Sequence, residues 1–563
     1  MKVVFLNSRF CMHRRRTALI AVAVVSLPVL AGGFLIQDRA ATDGATVLNQ
    51  VLSLVSQRFV DTVSAAALYE KAAKGLVKEL NDPYSELFSP KELASFSQQT
   101  NGKYAGIGMQ IEKQGESITI SKVFPHTPAE AAGVRDGDRI LNVDTLSTRG
   151  WSTQQVSDYL IGKEGTKVTV KFGRPGVPEP ITTTFTRQVI RIPAVPYAIV
   201  LDNRIGYLPV QRFNETSAEE VKTAVAALQK EGVKGVILDM RGNPGGILEQ
   251  SIQMSNLFLK SGQEIVSVRS RANETQSYGT RIAPTFPTLP MAVLVDEYSA
   301  SASEIVAGAL QDHDRALLVG QTSFGKGLVQ TLFPLDGGYA LKITTAKWYT
   351  PSGRSIQRER KYVNGRFVEE APDSLETEAK KKARPAYKSD AGRIVYGGGG
   401  VAPDVLVRDD TLTTPEQNLA KALAPKSQDV YVTLYDYSLE LSRTTKPDFT
   451  VQPAWRDELF RRITAKGVKL QRAQYDSASR YIDRLLDQRV AQLMGGDSTA
   501  KRHDLKFDAP LRTALDLMEK GTTQKDMLVL AAAEASKQQA PRGTDPRKAP
   551  ADVTVQQPAG RKP

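Results

Sequence analysis

The spacing of apolar residues changes along the chain, and each change marks a different kind of structure. From about residue 45 to residue 100, apolar side chains recur every three or four positions, which is typical of helices that bury one face. Two such groups are Val47, Val51, Leu54, Val55 and Phe59, and then Ala73, Leu76, Val77 and Leu80. Asn81-Asp-Pro83 ends the second helix, and Ser89-Pro-Lys-Glu92 begins a third. We therefore predict an N-terminal helical region over residues 41–103.

Short alternating segments replace the helical spacing between residues 104 and 187. Strand-like runs and two short helices follow one another in the order Ile118–Ile120, helix Pro128–Gly133, Asp136–Val143, helix Thr153–Leu160 and Val168–Phe172. This order resembles a PDZ domain, which binds the extended C-terminus of a peptide as an added strand. By that resemblance Gly106, Ile107, Gly108 and Met109 form the loop whose backbone N–H groups hold the terminal carboxylate. A plain turn is the alternative explanation of the two glycines.

The remaining chain predicts an α/β core over residues 188–408, a helical region over 409–535 and a disordered tail over 536–563. In the core, apolar strand-like runs alternate with helical segments, as in a layered α/β fold. The runs are Ile205–Val210, Gly235–Asp239, Met291–Asp296 and Ala316–Gly320, with a helix at Ala218–Gly232. Residues 358–395 are charged and polar and indicate an insertion or a mobile loop.

The N-terminus carries an export signal. Arg14-Arg-Arg16 precedes Thr17–Ile36, an apolar run long enough to span a membrane, and we assign residues 1–40 to this signal or anchor. Positive charge before the run places the rest of the chain outside the cytoplasm. The weak cleavage signal at Arg39-Ala-Ala41 favours an uncleaved anchor in the inner membrane over a removed signal peptide.

Composition narrows the classes of function. The chain has 563 residues, 41% hydrophobic and 24% charged, as expected for several folded soluble domains. Its formal net charge is +13, but the basic residues are dispersed and no nucleic-acid-binding motif appears, so we predict no nucleic-acid partner. Cys11 is the only cysteine, and no cluster has metal-ligand spacing; we predict no metal and no cofactor.

Ser301 and Lys326 are the candidate nucleophile and base. Ser301 follows an apolar strand and opens a helix-forming run that begins at Glu304, where free N–H groups favour a developing negative charge. A serine needs a base to remove its proton, and a desolvated neutral lysine can serve. A structural helix cap, with Glu304 completing a capping box, is the alternative for Ser301, and Ser299 and Ser303 are equally possible caps.

Three neighbouring features allow other interpretations. Gly320–Lys326 matches most of a phosphate-binding loop, but Gly327 stands where a magnesium-binding hydroxyl is needed. The turn Asp239–Gly246 ends a buried strand and either presents N–H groups to an oxyanion or merely connects a strand to a helix. His313 lies about three helical turns beyond Ser301, and we interpret it as a surface histidine.

Taken together, the motifs resemble the carboxyl-terminal processing protease family, also called tail-specific proteases. The resemblance covers about residues 45–408 and rests on these segments: Asp82-Pro-Tyr-Ser85, Tyr104–Gly108, Arg241–Gly246, Ser299–Glu304, Phe324–Gly327, Tyr349–Arg354 and Gly400–Asp404. It implies an exported Ser-Lys protease with a PDZ domain inserted in its core. It further implies that Ser301 is the nucleophile, that Lys326 is the base and that Gln330 orients the lysine. Backbone N–H groups of Ala302 and of Gly245 or Gly246 match the oxyanion hole.

One departure concerns the PDZ domain. Many relatives have Leu-Arg-Gly where this chain has Leu160-Ile-Gly162, and that arginine is associated with coupling the PDZ domain to the active site. Ile161 therefore leaves that coupling open, or transfers it to another residue such as Lys163.

The sequence thus predicts a multidomain α+β and α/β protein with an N-terminal helical segment, a PDZ domain inserted in an α/β protease core and a helical C-terminal region. The predicted function is an exported serine endopeptidase that binds exposed C-termini of proteins or peptides and cleaves by an acyl-enzyme mechanism. A non-catalytic PDZ scaffold at the cell surface is the alternative. A homo-oligomer or an adaptor protein is a further possible partner that the sequence does not identify.

Overall fold

A computed structural model describes residues 43–174, 177–358, 360–363, 366–369 and 378–539. The chain divides into two compact units. The first comprises the residues up to Phe88 together with Leu332–Ile343, and the second comprises the rest of the chain. Helices and strands are numbered below in chain order.

The first unit contains two helices and a short strand pair. Helix α1 spans residues 43–58 and α2 spans Ala65–Lys78, where the Ser64 side chain accepts a hydrogen bond from the N–H of Ala67. Strand β1 (Glu86–Phe88) pairs antiparallel with residues 340–342. The helical spacing predicted here is correct, but most of its apolar side chains are exposed in the structure, whereas Val77 is buried. The exposed ones include Val47, Val51, Leu54, Phe59 and Leu76.

The second unit begins with helix α3 (Pro90–Asn101), whose N-terminus has a complete capping box between Ser89 and Glu92. Strand β2 (Lys103–Gly106) then enters the PDZ-like sheet region. The strands of that region are β3 (Met109–Gln114), β4 (Ser117–Val123), β5 (Arg139–Val143), β6 (Leu146–Ser147), β7 (Lys167–Gly173) and β8 (Ile181–Thr186). They form one antiparallel sheet of order β3-β4-β5-β7-β8, with β6 paired to β5.

Two helices close this sheet around a small core. Helix α4 spans Pro128–Ala131 and α5 spans Thr153–Leu160. Buried residues of sheet and helices share one apolar cluster that includes Ile118, Val143, Val156, Val170 and Phe185. The chain leaves through β9 (Gln188–Arg191), which pairs antiparallel with β2, so entry and exit strands lie side by side. This arrangement is a compact domain inserted into a larger one.

The larger domain is built on a second six-stranded sheet of order β10-β11-β12-β15-β16-β23. The first five strands in this order are β10 (Ile199–Leu201), β11 (Ile205–Pro209), β12 (Gly235–Asp239), β15 (Met291–Val295) and β16 (Leu317–Gly320), followed by β23 (Val405–Leu406). All pairs except β10–β11 are parallel. Full burial of β11, β12, β15 and β16 explains their nearly continuous apolar runs.

Helices cover both faces of this sheet. One face packs on α6 (Ser217–Lys230), α7 (Leu248–Asn256) and α8 (Ala302–Asp312), which share the largest apolar cluster. The opposite face packs on α15 (Ala509–Lys520) and α16 (Gln524–Gln539) from the C-terminal region. The protease-like core therefore has three layers, and the C-terminal helices supply one of them.

The segment predicted as a charged insertion or a mobile loop at residues 358–395 has regular structure in its described residues. Its described residues form a hairpin of β19 (Arg360–Val363) and β20 (Arg366–Glu369), helix α9 (Glu378–Lys382), and a pair of β21 (Ala386–Lys388) and β22 (Ile394–Tyr396). Arg393 binds Asp314 and Asp404 of the core at 2.5 Å each. These ion pairs attach the polar segment around Arg393 to the core. Its apolar residues have no regular spacing from which a helix or strand could be predicted.

The remaining elements are strands beside the core and the C-terminal helices. Strand β13 (Glu264–Ser270) pairs with β14 (Gln276–Gly279) and with residues 346–349 of β18 (Ala340–Tyr349), which β17 (Leu328–Pro334) precedes. The C-terminal helices before α15 are α10 (Thr414–Leu423), α11 (Ser427–Ser442), α12 (Pro453–Ala465), α13 (Arg472–Asp476) and α14 (Ser479–Asp504).

The multidomain α+β and α/β fold class predicted from the sequence is confirmed. The predicted anchor at residues 17–36 and residues 540–563 of the predicted tail lie outside the described residues. The prediction that the disordered tail begins at residue 536 is wrong for residues 536–539, which continue helix α16. Within the described ranges, none of the helices combines the length and apolar character needed to cross a bilayer.

Candidate active site

Three neighbouring parallel strands deliver the candidate residues to one edge of the sheet. Strands β12, β15 and β16 lie side by side, with Asp239 paired to Leu294 and Val295 paired to Gly320. Each strand is followed by one predicted motif: the glycine-rich turn after β12, the Ser301 segment after β15 and the Lys326 loop after β16. The carboxyl ends of parallel strands are where α/β folds place their ligand sites.

Ser301 lies at the N-terminus of α8 in a strained backbone conformation. Its φ of 55° and ψ of −112° fall in a region that costs a residue with a β-carbon about 1–3 kcal/mol. The side chain is half-buried. Strain of this kind is maintained only where neighbouring contacts fix the backbone.

Glu304 fixes that backbone and joins it to the Lys326 loop. The fully buried carboxylate accepts the N–H groups of Ser301 and Lys326 on Oε2, at 2.8 and 2.9 Å. Its Oε1 accepts the Ser323 hydroxyl and the Gly325 N–H, both at 2.6 Å. Burial raises the pKa of Glu304, and the four hydrogen bonds oppose that rise. One carboxylate thus sets the separation of the two candidate catalytic segments.

The sequence predicts Glu304 only as part of a structural capping box. The cap exists, since the Ser301 N–H donates to Glu304, but the glutamate also binds a loop of a different strand. One signal was available in the sequence: the run Ile305–Leu310 that follows Glu304 is entirely apolar, which favours burial of this helix start and therefore a paired carboxylate.

The two rival serines have other tasks. Ser299 donates its hydroxyl hydrogen to the Met240 carbonyl at 2.8 Å, and Ser303 donates to the Asn243 carbonyl at 3.0 Å. Both are fully buried. They fasten the glycine-rich turn to the Ser301 segment, so Ser301 is the half-exposed serine of the three.

The glycine-rich turn lies directly against Ser301. A β-carbon on Gly245 would come within 2.6 Å of the Ala300 carbonyl oxygen and 2.9 Å of the Ala302 nitrogen, so only glycine fits. The Gly245 N–H donates to Asn243 Oδ1 at 2.9 Å. Around Gly246, the carbonyl of Gly245 and the N–H of Ile247 both bond to Phe213. Since successive N–H groups of an extended chain alternate in direction, the Gly246 N–H points away from Phe213.

Lys326 and Gln330 lie on the third segment. Lys326 is half-buried, and its carbonyl accepts the Trp348 indole N–H at 3.0 Å. The Gln330 side-chain amide donates to the Thr344 hydroxyl at 3.3 Å. The structure therefore brings Ser301, Ala302, Gly245, Gly246 and Lys326 to one place, while Gln330 is positioned through Thr344 on β18.

Two alternative interpretations lose support here. The Gly325 and Lys326 N–H groups, which a phosphate-binding loop would offer to a nucleotide, are occupied by Glu304. The interpretation of His313 as a surface residue is wrong: its ring nitrogens contact Asp390 Oδ2 at 2.7 Å and the Glu264 carbonyl at 2.6 Å, and its side chain is 8% exposed. It ends α8, at the opposite end from Ser301.

The PDZ-like domain presents a cavity of about 990 Å³ between β3 and α5. The predicted loop of Gly106, Ile107, Gly108 and Met109 lines it, and so does Arg212, which follows β11 of the core. The Ile107 and Gly108 carbonyls accept hydrogen bonds from Ala129 and Phe124, so they are used inside the domain. Burial raises the pKa of the Tyr104 hydroxyl to about 12, and a hydrogen bond from the Met109 N–H opposes that rise.

Arg187 binds the C-terminal end of α5, next to Ile161. Its Nε donates to the Leu160 carbonyl at 2.8 Å and its Nη2 to the Tyr159 carbonyl at 2.7 Å. Arg187 lies between β8 and β9, at the exit from the PDZ-like domain. Lys163, which the sequence suggested as a residue that could couple the PDZ domain to the active site, is exposed.

Replacing Arg187 by methionine is therefore expected to loosen the C-terminal end of α5, one wall of the cavity. We expect KM for substrates with a free C-terminus to rise several-fold, as hydrogen bonds to a buried charged group contribute about 1.5–3 kcal/mol each. The change in KM is measured by steady-state kinetics on unstructured peptides. Lys163→Met is the matched control and should leave KM unchanged; an equal rise in both variants would contradict the assignment.

Comparisons with known proteins agree with this arrangement. A model of Peptidase family S41 matches residues 204–363, a PDZ domain model matches 119–174, and the model named Activating protease CtpB N-terminal domain matches 37–91. The chain is 34% identical over 360 residues to the carboxy-terminal processing protease CtpA of Bacillus subtilis, covering 63% of this chain and 76% of the relative.

A second relative, the carboxy-terminal-processing protease of Bartonella bacilliformis, is 37% identical over 312 residues, with 54% of this chain and 71% of the relative covered. The solved structure of a photosystem II D1 C-terminal processing protease is 28% identical, with 58% of this chain and 87% of that one covered and a TM-score of 0.34.

The fold and the matched families define a serine-type peptidase that contains a PDZ domain. The chain belongs to the carboxy-terminal processing protease family, which confirms the resemblance seen in the sequence.

Proposed function

We propose that this protein is an exported endopeptidase that captures the C-terminus of a protein substrate in its PDZ cavity and cleaves upstream by a Ser301–Lys326 mechanism. One observation carries the proposal: the Glu304 carboxylate binds the backbone of both Ser301 and Lys326 at the sheet edge. A protein that served only as a scaffold has no need for a strained serine and a lysine loop tied to one buried carboxylate.

In this mechanism Ser301 Oγ attacks the scissile carbonyl carbon while neutral Lys326 accepts the hydroxyl proton. The Ala302 N–H at the start of α8 stabilises the oxyanion. We assign the second donor to Gly246, because the Gly245 N–H is already bonded to Asn243. Lys326 then returns the proton to the leaving amine. Water attacks the acyl-enzyme, Lys326 again takes a proton, and the free carboxylic acid and Ser301 are restored.

Export is also part of the proposal. The apolar segment Thr17–Ile36 after Arg14–Arg16 supports insertion into the inner membrane, with the PDZ domain and the protease core on the outer side. Substrates would then be periplasmic or otherwise extracytoplasmic proteins. Gln330 is proposed to orient Lys326 from β17, through its contact with Thr344.

Unstructured substrates with a free apolar C-terminus are expected to be cut faster than C-terminally amidated copies. Amidation removes the negative charge that backbone N–H groups of residues 106–109 would bind, and such charge-assisted hydrogen bonds are about twice as strong as neutral ones. The measurement is kcat/KM for paired peptides that differ only at the terminus. Equal values would argue against carboxylate capture, and absence of cleavage of either peptide would argue against the peptidase itself.

A further inference from the structure

The C-terminal helices contact the glycine-rich turn, although they lie outside the residues that the family models match. Those matches end at residue 363, whereas Asp508 begins α15 far beyond them. Helices α15 and α16 pack on the sheet through an apolar cluster that includes Ile237, Leu294, Leu511 and Met518. This packing places the N-terminus of α15 beside the carboxyl end of β12.

At this position Asp508 forms an ion pair with Arg241. Arg241 lies at the start of the glycine-rich turn that continues to Gly245 and Gly246. The Arg241 guanidinium donates to both Asp508 oxygens at 2.8 Å and to both Asp239 oxygens at 2.9 and 2.6 Å. All three side chains are largely buried, with Arg241 at 16% exposure and Asp508 at 5%. A planar guanidinium held between two bidentate carboxylates has no freedom to rotate.

The electrostatics show that Asp508 acts as a charged partner. Its carboxylate also accepts Lys501 Nζ, and these bonds from Arg241 and Lys501 outweigh burial and lower its pKa. Asp239 has a lowered pKa as well, and it accepts the Tyr207 hydroxyl at 2.7 Å. Asp409 faces Arg241 at 4.0 Å, and Asp296 accepts the Gly242 N–H at 2.9 Å. Asp410 and Asp504 also line the cavity beside this cluster.

A shift of the Arg241 side chain would displace the Ser301 segment, because few contacts separate the two. Gly242 is held by Asp296, and the Asn243 carbonyl accepts both the Ala300 N–H at 2.9 Å and the Ser303 hydroxyl. Gly245 contacts the Ser301 segment so closely that no β-carbon fits. The Arg241 side chain is thus the anchor at the strand end of a turn whose other end lies against the nucleophile.

We propose that Asp508 is a positioning residue for catalysis, which acts through Arg241 on the turn that carries the oxyanion donor. The inference rests on the proposed peptidase function. It gives the C-terminal helical region a role in the chemical step and not only in packing.

Asp508→Asn tests this with little change in shape. Asparagine retains an oxygen for the N–H of Leu511, which Asp508 caps at 3.0 Å, and is an equally good helix cap. Its NH₂ group, however, would face the guanidinium, so the bidentate pair is lost. We expect kcat to fall about tenfold to a hundredfold, as for catalytic groups displaced by a fraction of an ångström, with KM nearly unchanged. Asp508→Glu, which restores the charge, should recover part of kcat.

Asp487→Asn is the matched control. Asp487 is a buried carboxylate of the same region, 2% exposed, and it binds His503 and Lys506 without contacting Arg241. We expect Asp487→Asn to lower Tm but not kcat at a temperature where circular dichroism shows both variants folded. Hydrogen exchange of the amides of residues 240–246 gives a readout that needs no activity, and it should accelerate only in Asp508→Asn.

The outcomes separate the two ideas. An unchanged kcat in Asp508→Asn, an equal loss in both variants or equal exchange in the turn would overturn the positioning role. An inactive wild type would overturn the proposed function, while the exchange measurement would still decide whether Asp508 holds the turn.

Discussion

Purified Ser301→Ala and Lys326→Ala variants are each expected to lose at least about four orders of magnitude in kcat/KM while remaining folded. A nucleophile and its base act as one unit, so removal of either one costs nearly the whole covalent pathway. Neither side chain belongs to the buried apolar clusters, and both segments keep their backbone bonds to Glu304. Cleavage of an unstructured protein, followed by mass spectrometry, measures the loss.

A charge-retaining variant distinguishes a base from a mere cation. Lys326→Arg keeps the positive charge, but arginine does not release its proton in proteins, so this variant should be as inactive as Lys326→Ala. Ser303→Ala removes one buried hydrogen bond to the turn and should show a much smaller loss, since such a bond contributes about 1 kcal/mol. Substantial cleavage by purified Ser301→Ala, or by Lys326→Arg, would remove the dyad from consideration.

Local pattern was sufficient for elements whose burial repeats along the chain. Strand Gly235–Asp239 and helix Thr153–Leu160 have the bounds that their spacing predicted, because each buries a continuous run or one regular face. The sequence also predicted that the glycine-rich, Ser301 and Lys326 segments each follow an apolar strand. Because these strands are parallel neighbours, the three segments meet at the carboxyl edge of the sheet. Their catalytic roles stay predictions.

Local pattern was insufficient where a residue works through a partner far away in the chain. Arg241 and Asp508 are 267 positions apart, and no periodicity relates them. Arg187 is 27 positions from Leu160, whose carbonyl it binds, and no pattern in the sequence pointed to this contact. The apolar residues of α1 show a different limit. Their spacing predicted the helix correctly, but it also predicted a buried face, and most of these side chains are exposed.

Glu304→Gln is expected to lower kcat by a factor of a hundred or more, although the side chain keeps its size. All four groups around Glu304 are donors, with two aimed at each oxygen. An amide replaces one oxygen by an NH₂ group, so two buried donors would face another donor, at a cost of about 1–3 kcal/mol each. The pair that faces the amide must move, and either choice shifts the Lys326 loop relative to Ser301.

A second capping-box glutamate supplies the control for this variant. Glu416 is buried at 4% exposure and accepts the N–H and the hydroxyl of Thr413 at the start of α10, in the C-terminal region. Glu416→Gln makes the same chemical change at the same helix position, so it should lower Tm and leave kcat unaltered. The ratio of kcat between the two variants, measured below both unfolding transitions, isolates the effect on the dyad. If Glu304→Gln kept wild-type kcat, the carboxylate would be a structural cap alone, and the geometry that joins Ser301 to Lys326 would have to come from other contacts.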